Sequence, residues 1–252
     1  MPRVPRVTIA TSALLALGST CLAQTGVPGS GATPADRPGL QEELDEFAAA
    51  FAARVPESMQ RAFAEGVADV RRLGLLESAK NVGDAAATRT LETPNGDSVE
   101  FMDVWADGPI VLTFYRGGWC PYCNLQLRAL QRSLDSLEGC GATLVAVTPE
   151  LPEKAAETIA KNDLEYRVLT DRGNGLAREF GIVFTLPAAI RPIYAERVGV
   201  ADYNGDDRDE LPLAATYVID PSGVIRWAWL DADYRRRAEP ADIIAAVRTL
   251  DD

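Results

Sequence analysis

The 252-residue chain reads as an α/β sandwich, a mixed central sheet flanked by helices, with a helical extension ahead of it. Three observations carry this expectation. Continuous apolar runs over Ile110–Tyr115 and Ala142–Thr148 have the character of strands buried on both faces. Segments of helical period alternate with the strand-like runs. The closing strands form a hairpin, and a helix ends the chain. With 47% of residues apolar, a core of this size is within reach.

Each element follows in order. Arg3 and Arg6 precede an apolar run from Val7 to Leu17 and then small residues up to Ala23, the order of a secretory signal. The run is too short to span a bilayer. Residues 1–23 are therefore read as a signal peptide cleaved near Ala23, and the protein as exported, to the periplasm of a bacterium. Lipidation at Cys21 is the second reading, because Gly18 stands where a branched apolar residue is usual. Residues 24–39 are rich in Gly, Pro, Ser and Thr, the composition of a flexible linker. Over residues 40–79, Leu44, Phe47, Phe51 and Val55 predict one helix that Pro56 breaks. Met59, Phe63, Val67, Val70 and Leu73 predict a second, stopped by Gly74. This apolar stripe is read as packing against the main domain, residues 80–252.

That domain opens with two short runs around Asn95-Gly96, a strong hairpin signal. The strand at Ile110–Tyr115 leads into two cysteines and a helix lined by Leu127, Leu130, Leu134 and Leu137. After the strand at Ala142–Thr148, residues 152–162 predict a helix, 166–170 a strand and 174–181 a helix. Residues 215–220 and 224–230, joined by Pro221-Ser222-Gly223, predict a hairpin, and residues 240–250 the last helix.

Composition removes several functions. A net charge of −12 argues against nucleic acid, which selects clustered cations. The chain has no histidine, so it lacks the commonest general base and zinc ligand. Lys80, Lys154 and Lys161 are its only lysines; the other basic residues are arginines.

The chemistry points to "FYRGGWCPYCNLQL", residues 114–127. A cysteine at a helix start meets unpaired N–H groups and the positive end of the helix dipole, both favouring thiolate. A second cysteine three residues on lies one turn away, within reach of a disulfide. Pro121 suits the first helical turn, where its missing N–H costs nothing. Cys120 and Cys123 are thus the candidate redox dithiol. Zinc needs four ligands, and one CxxC with a distant Cys140 does not supply them. Haem attachment needs CxxCH, but Asn124 follows. No metal or cofactor is expected. An inert structural disulfide is the competing account, although a four-residue loop constrains little.

These residues carry a resemblance. "VLTFYRGGWCPYC", "LVAVTPE", "LTDRGNGLAREFGI" and "ATYVIDPSGVIRW" are similar to the thioredoxin superfamily, and more narrowly to the peroxiredoxin-like branch of the alkyl hydroperoxide reductase/thiol-specific antioxidant family. The resemblance covers about residues 80–250 and implies a thioredoxin-like sandwich. "NVGDAA" is similar to the family's Gly-Asp-x-x-Pro entry, with Ala87 in place of proline. Aligned with peroxiredoxins, the peroxidatic cysteine falls on Cys123, its threonine on Cys120, its proline on Arg116, and the activating arginine near Ala214. Aligned with thioredoxins, Cys120 attacks, Trp119 matches the preceding tryptophan and Cys123 resolves; the cis-proline slot also falls near Ala214, with Pro212 two residues earlier.

The resemblance implies a thiol-dependent oxidoreductase that reduces peroxides through Cys120 and Cys123, with electrons from an external, thioredoxin-like thiol donor. Protein disulfide reduction or oxidation is the alternative activity, and a binding protein with a structural CxxC the alternative class. Arg116 could replace the missing cation or be an exposed loop residue. Cys140 is read as a packing residue, and the carboxylates at Asp202–Glu210 as an acidic loop, since Gly205 is misplaced for a calcium loop. Trp227 and Trp229 are read as half-buried sheet residues, and "YRRRAEP", residues 234–240, as a solvated approach to the last helix.

Overall fold

A computed structural model of the chain describes residues 38–105 and 108–250. The expected signal peptide, Cys21 and nearly all of the expected linker lie outside the described residues.

Three helices come first: α1 (Leu40–Ala52), α2 (Glu57–Arg72) and α3 (Leu75–Ser78). Pro56 caps α2 rather than ending α1, so Val55 falls in the joint between them. The predicted hairpin is present as β1 (Thr90–Glu92) and β2 (Ser98–Glu100), paired antiparallel with Leu91 opposite Val99. Gly96 makes its turn at φ 87°, a backbone region that glycine enters without penalty. A 3-10 turn over Phe101–Trp105 leads to β3 (Ile110–Phe114). The cysteine helix is α4 (Pro121–Arg132); it breaks at Ser133, and α5 (Leu134–Glu138) completes the predicted leucine face. Then follow β4 (Thr143–Thr148), α6 (Pro152–Asn162), β5 (Arg167–Thr170) and α7 (Gly175–Glu179).

Next comes a segment that the residue pattern did not reveal. β6 (Val183–Thr185) pairs antiparallel with β7 (Glu210–Pro212) as a separate two-stranded sheet. Between them lie α8 (Arg191–Arg197) and α9 (Val200–Asn204). The predicted closing hairpin is β8 (Thr216–Ile219) with β9 (Ile225–Trp229), and α10 (Pro240–Arg248) ends the described fold.

The main sheet has seven strands in the order β2-β1-β5-β4-β3-β8-β9. β3, β4 and β5 run parallel and the flanking pairs antiparallel, which makes the sheet mixed. Alternate residues of β3 serve opposite faces. Ile110, Leu112 and Phe114 join one core cluster with Phe180 and Tyr217, whereas Val111 joins a second with Leu127, Leu130 and Ile243. That two-sided burial produces the continuous apolar reading of the central strands.

The start of the extension is tied to the main domain. Leu40 and Leu44 are buried in the second cluster, beside α4 and α10. The Glu239 carboxylate accepts the N–H groups of Leu40 at 3.0 Å and Gln41 at 2.7 Å, satisfying two open donors of α1. Glu43 pairs with Arg132 of α4 at 2.6 Å.

Candidate active site

The centre of the sheet delivers the site. β3 ends at Phe114, and Tyr115 to Trp119 turn the chain into α4, where Cys120 is the N-cap and Pro121 the first helical residue. The two glycines of that turn are needed. Gly117 sits at φ 148°, and a side chain there would strike the Trp119 indole. A Cβ on Gly118 would collide with the Thr158 hydroxyl.

A polar frame fixes Gly118. Its N–H donates to the Glu150 carboxylate at 2.8 Å, and its carbonyl accepts from Asn124 Nδ2 at 2.8 Å and Lys161 Nζ at 3.1 Å. Asn162 in turn donates to Asn124 Oδ1 at 2.9 Å. Glu150 is fully buried, and burial pushes its carboxyl up, opposed by the Gly118 N–H. Beneath α4, the Thr113 and Thr216 hydroxyls pair at 3.0 Å and Gln126 Nε2 reaches Thr113 at 3.2 Å.

Cys120 and Cys123 are both free thiols and both fully buried. Cys140, also buried, is not one of the free thiols. Arg116 is buried at 3% exposure, which overturns the exposed-loop alternative. Its Nη2 donates to Cys120 Sγ at 3.0 Å and its Nη1 to the Tyr194 hydroxyl at 3.1 Å. Its guanidinium lies 4.2 Å from the Tyr234 ring centre and 5.3 Å from that of Trp119, within cation–π range. Ala214, where the resemblance places an activating arginine, lines a small cavity with Arg116. Arg116 therefore brings to Cys120 the cation that Ala214 cannot supply.

The two sulfurs differ. Burial alone would raise the Cys120 thiol, but the hydrogen bond from Cys123 and the charges of Arg116 and Arg237 outweigh it and hold Cys120 well below its usual range. Burial pushes Cys123 well up, reinforced by its hydrogen bond to Cys120 and the charge there; Arg237 and Arg116 oppose this only in part. The two shifts run in opposite directions, Cys120 toward the thiolate and Cys123 toward the thiol.

Arg237 was not foreseen. The "YRRRAEP" segment was expected to be solvated, yet only Arg235 and Arg236 turn outward. Arg237 is 3% exposed, and its Nη2 approaches Cys123 Sγ at 3.6 Å. Among the described residues, neither Arg116 nor Arg237 pairs with a carboxylate.

Cys120 borders an apolar cavity of about 190 Å³. Cys120, Arg116 and Trp119 line it together with Phe51 and Met59 of the extension and Tyr194 of α8. Aromatic pairs pack within its lining: Phe47 on Tyr122 at 5.1 Å, Phe51 on Phe63 at 5.9 Å, and Phe63 on Tyr194 at 6.4 Å. The four sequence-derived candidates, Arg116, Trp119, Cys120 and Cys123, thus converge. Tyr194, Tyr234, Glu150 and Arg237 join them from distant segments. No described helix is long and apolar enough to cross a membrane, and no described group of three or more Cys, Asp or Glu residues is placed to hold a metal.

Known proteins share this frame. The AhpC/TSA family model matches residues 82–228, a span that includes both thiols and Arg116 but neither α1 and α2 nor Arg237. Peroxiredoxin Q, chloroplastic, of Arabidopsis thaliana is 27% identical over 153 residues, covering 61% of this chain and 61% of that protein. Peroxiredoxin Bcp of Escherichia coli K12 is 26% identical over 100 residues, covering 40% of this chain and 64% of that protein. The chain spans about three-fifths of the length of the curated relatives it matches. Among solved structures, peroxidoxin BcpB from Mycobacterium tuberculosis superposes with a TM-score of 0.53 at 19% identity, covering 68% of this chain and 97% of that one. Reduced Prx3 from Vibrio vulnificus gives 0.54 at 16% identity, with 67% and 99% covered. The likeness is one of fold, a thioredoxin-like α/β sandwich, which in this chain is built on the mixed seven-stranded sheet. The chain belongs to the AhpC/TSA family.

Proposed function

We propose that this protein is a thiol peroxidase in which Cys120 attacks the peroxide and Cys123 resolves the product. The observation that carries the reading is the Arg116–Cys120 contact of 3.0 Å in the lining of an apolar cavity. Peroxide cleavage requires a thiolate and a donor that steadies the departing oxygen. Arg116 supplies both, holding Cys120 ionised and presenting a fixed cation where the alkoxide develops.

The steps balance. The Cys120 thiolate attacks one peroxide oxygen, the O–O bond breaks, and the alkoxide takes a proton from solvent and leaves as an alcohol, or as water from hydrogen peroxide. Cys120 is then a sulfenic acid. Cys123 attacks that sulfur and gives up its proton, and hydroxide leaves as water with the formation of the Cys120–Cys123 disulfide. Two thiols of an external donor, a thioredoxin-like protein or a small thiol, restore the dithiol and become a disulfide.

The cavity supports a small substrate over a protein one. Both sulfurs are closed to the surface, and a folded protein disulfide reaches Cys120 only if α1 and α2 move aside. Protein disulfide exchange stays the second reading, because a lowered Cys120 paired with a protonated Cys123 is also the arrangement that exchange uses. The reading includes export ahead of residue 24, which sequencing of the mature N-terminus tests.

Mass spectrometry of single variants after stoichiometric peroxide decides among the accounts. Cys123→Ser is expected to trap a sulfenic acid on Cys120, and Cys120→Ser to consume no peroxide. A sulfenic acid on Cys123 in Cys120→Ser reverses the assignment. Mixed protein disulfides without peroxide turnover favour exchange, and no redox change in either variant leaves a binding protein.

A further inference from the structure

Each sulfur of the pair has its own guanidinium, and they come from different parts of the chain. Arg116 arrives from the turn before α4. Arg237 arrives from the segment before α10, beyond the span shared with the family. The local fold turns Arg237 inward. Asp233 accepts the backbone N–H, Nε and Nη2 of Arg235, pinning that side chain outward, while Ala238 is buried on the other flank. Arg237 Nη1 donates to the Arg236 carbonyl at 2.8 Å, Nη2 faces Cys123, and Nε has no partner.

A guanidinium buried without a carboxylate carries a desolvation cost that a neighbouring anion offsets only in the states where that anion is present. Arg116 has that anion in the resting dithiol, the Cys120 thiolate. Arg237 also feels that charge, but without contact: the sulfur it touches is Cys123, which burial pushes toward the protonated form. In the sequence of steps above, negative charge reaches Cys123 twice: as it loses its proton to attack the sulfenic acid, and as the donor thiol expels it from the disulfide.

We propose that Arg237 is the catalytic residue of the resolving half of the cycle, stabilising the Cys123 thiolate in both of these steps while Arg116 serves Cys120. The proposal rests on the thiol-peroxidase reading. It divides the work of the two cations: Arg116 governs the reaction with peroxide, and Arg237 governs disulfide formation and its reversal. The sulfenic acid is then long-lived or short-lived according to Arg237. A slow resolving step exposes it to a second peroxide and to sulfinic acid.

The test is a rapid-mixing experiment on the full protein with stoichiometric hydrogen peroxide, wild type against Arg237→Met and Arg237→Lys. Oxidation of Cys120 is followed by the fluorescence of the adjacent tryptophan, and disulfide formation by acid quench and mass spectrometry. In Arg237→Met, oxidation of Cys120 is expected to slow by no more than about threefold, while disulfide formation slows by about tenfold or more, one pKa unit in the attacking thiol. Sulfinic acid then accumulates at peroxide concentrations that leave the wild type intact. Arg237→Lys restores much of the resolving rate by keeping the charge. Disulfide formation at the wild-type rate in Arg237→Met, or equal slowing of both steps, overturns the proposal. Should Arg237→Met not fold, Arg237→Gln carries the same comparison. If the wild type shows no oxidation of Cys120, the peroxidase reading itself fails and this proposal falls with it; a normal wild-type burst with an unaltered variant sinks the proposal alone.

Discussion

Replacing Arg116 with methionine removes one cation from a sulfur 3.0 Å away and leaves a shorter, apolar side chain. The size of the effect follows from the contact. Two unit charges at that distance interact by roughly 5.5 kcal/mol at an effective dielectric of about 20, an upper bound before desolvation is counted. Hydrogen bonds to charged groups contribute about 1.5–3 kcal/mol net, which at about 1.4 kcal/mol per unit is roughly one to two pKa units on Cys120. The assay is the pH dependence of iodoacetamide alkylation in a Cys123→Ser background, where a single thiol is read. The midpoint is expected to rise by that amount in Arg116→Met. The linkage has a definite sign. A thiol lower in the folded than in the unfolded protein adds stability that is complete above the unfolded value, near 8.5, and is lost as pH falls through the folded value. Reduced wild type should therefore gain stability as pH rises across that window, and Arg116→Met should be flatter. Because the thiolate exists only in the reduced form, the same loss makes the disulfide a weaker oxidant by about 30–60 mV. An alkylation midpoint that stays within a few tenths of a unit would refute the assignment of Arg116 as the activating cation.

Two further outcomes follow from the scaffold. Gly118→Ala drives a methyl into the Thr158 hydroxyl, so a loss of about 1–3 kcal/mol is expected in urea unfolding, and Thr158→Ala should recover most of it; no loss in the single variant means that the turn relaxes freely. Asp220 lies at about 2: burial would raise it, but Ser222, Val224 and Arg226 bind the carboxylate and more than offset that. Its stabilisation is complete above about pH 4 and is lost as pH falls toward 2, so Asp220→Asn should flatten the acid limb of the thermal-melting profile, and an unchanged limb counts against this network.

The strands that build the site were legible because their burial is two-sided. Ile110–Phe114 and Thr143–Thr148 carry apolar residues to both cores, and no helix periodicity competes. The Asn95-Gly96 turn announced its own hairpin. β6 and β7 were invisible for the opposite reason: three residues each, one with a proline, they pair across an insertion carrying two short helices. The thiols could be read from spacing alone. Their electrostatics could not, since these depend on which arginine is sequestered. Arg116 is four residues from Cys120 and open to either interpretation in sequence, whereas Arg237 is 114 positions from Cys123 and looks like its solvated neighbours. Glu150 follows a buried strand and gives no sign that it holds the peptide of a glycine 32 positions earlier.

One carboxylate joins the two termini of the described fold. Glu239 begins α10, yet its oxygens hold the opening amides of α1. The first helix and the last are consequently not interchangeable parts. Shortening the protein at either side leaves the remaining side with an unmatched group, charge in one case and bare donors in the other. A lineage that trims the extension loses the partner of Glu239, and a two-helix extension grafted onto a bare family domain gains these two hydrogen bonds only where an acid stands at that place.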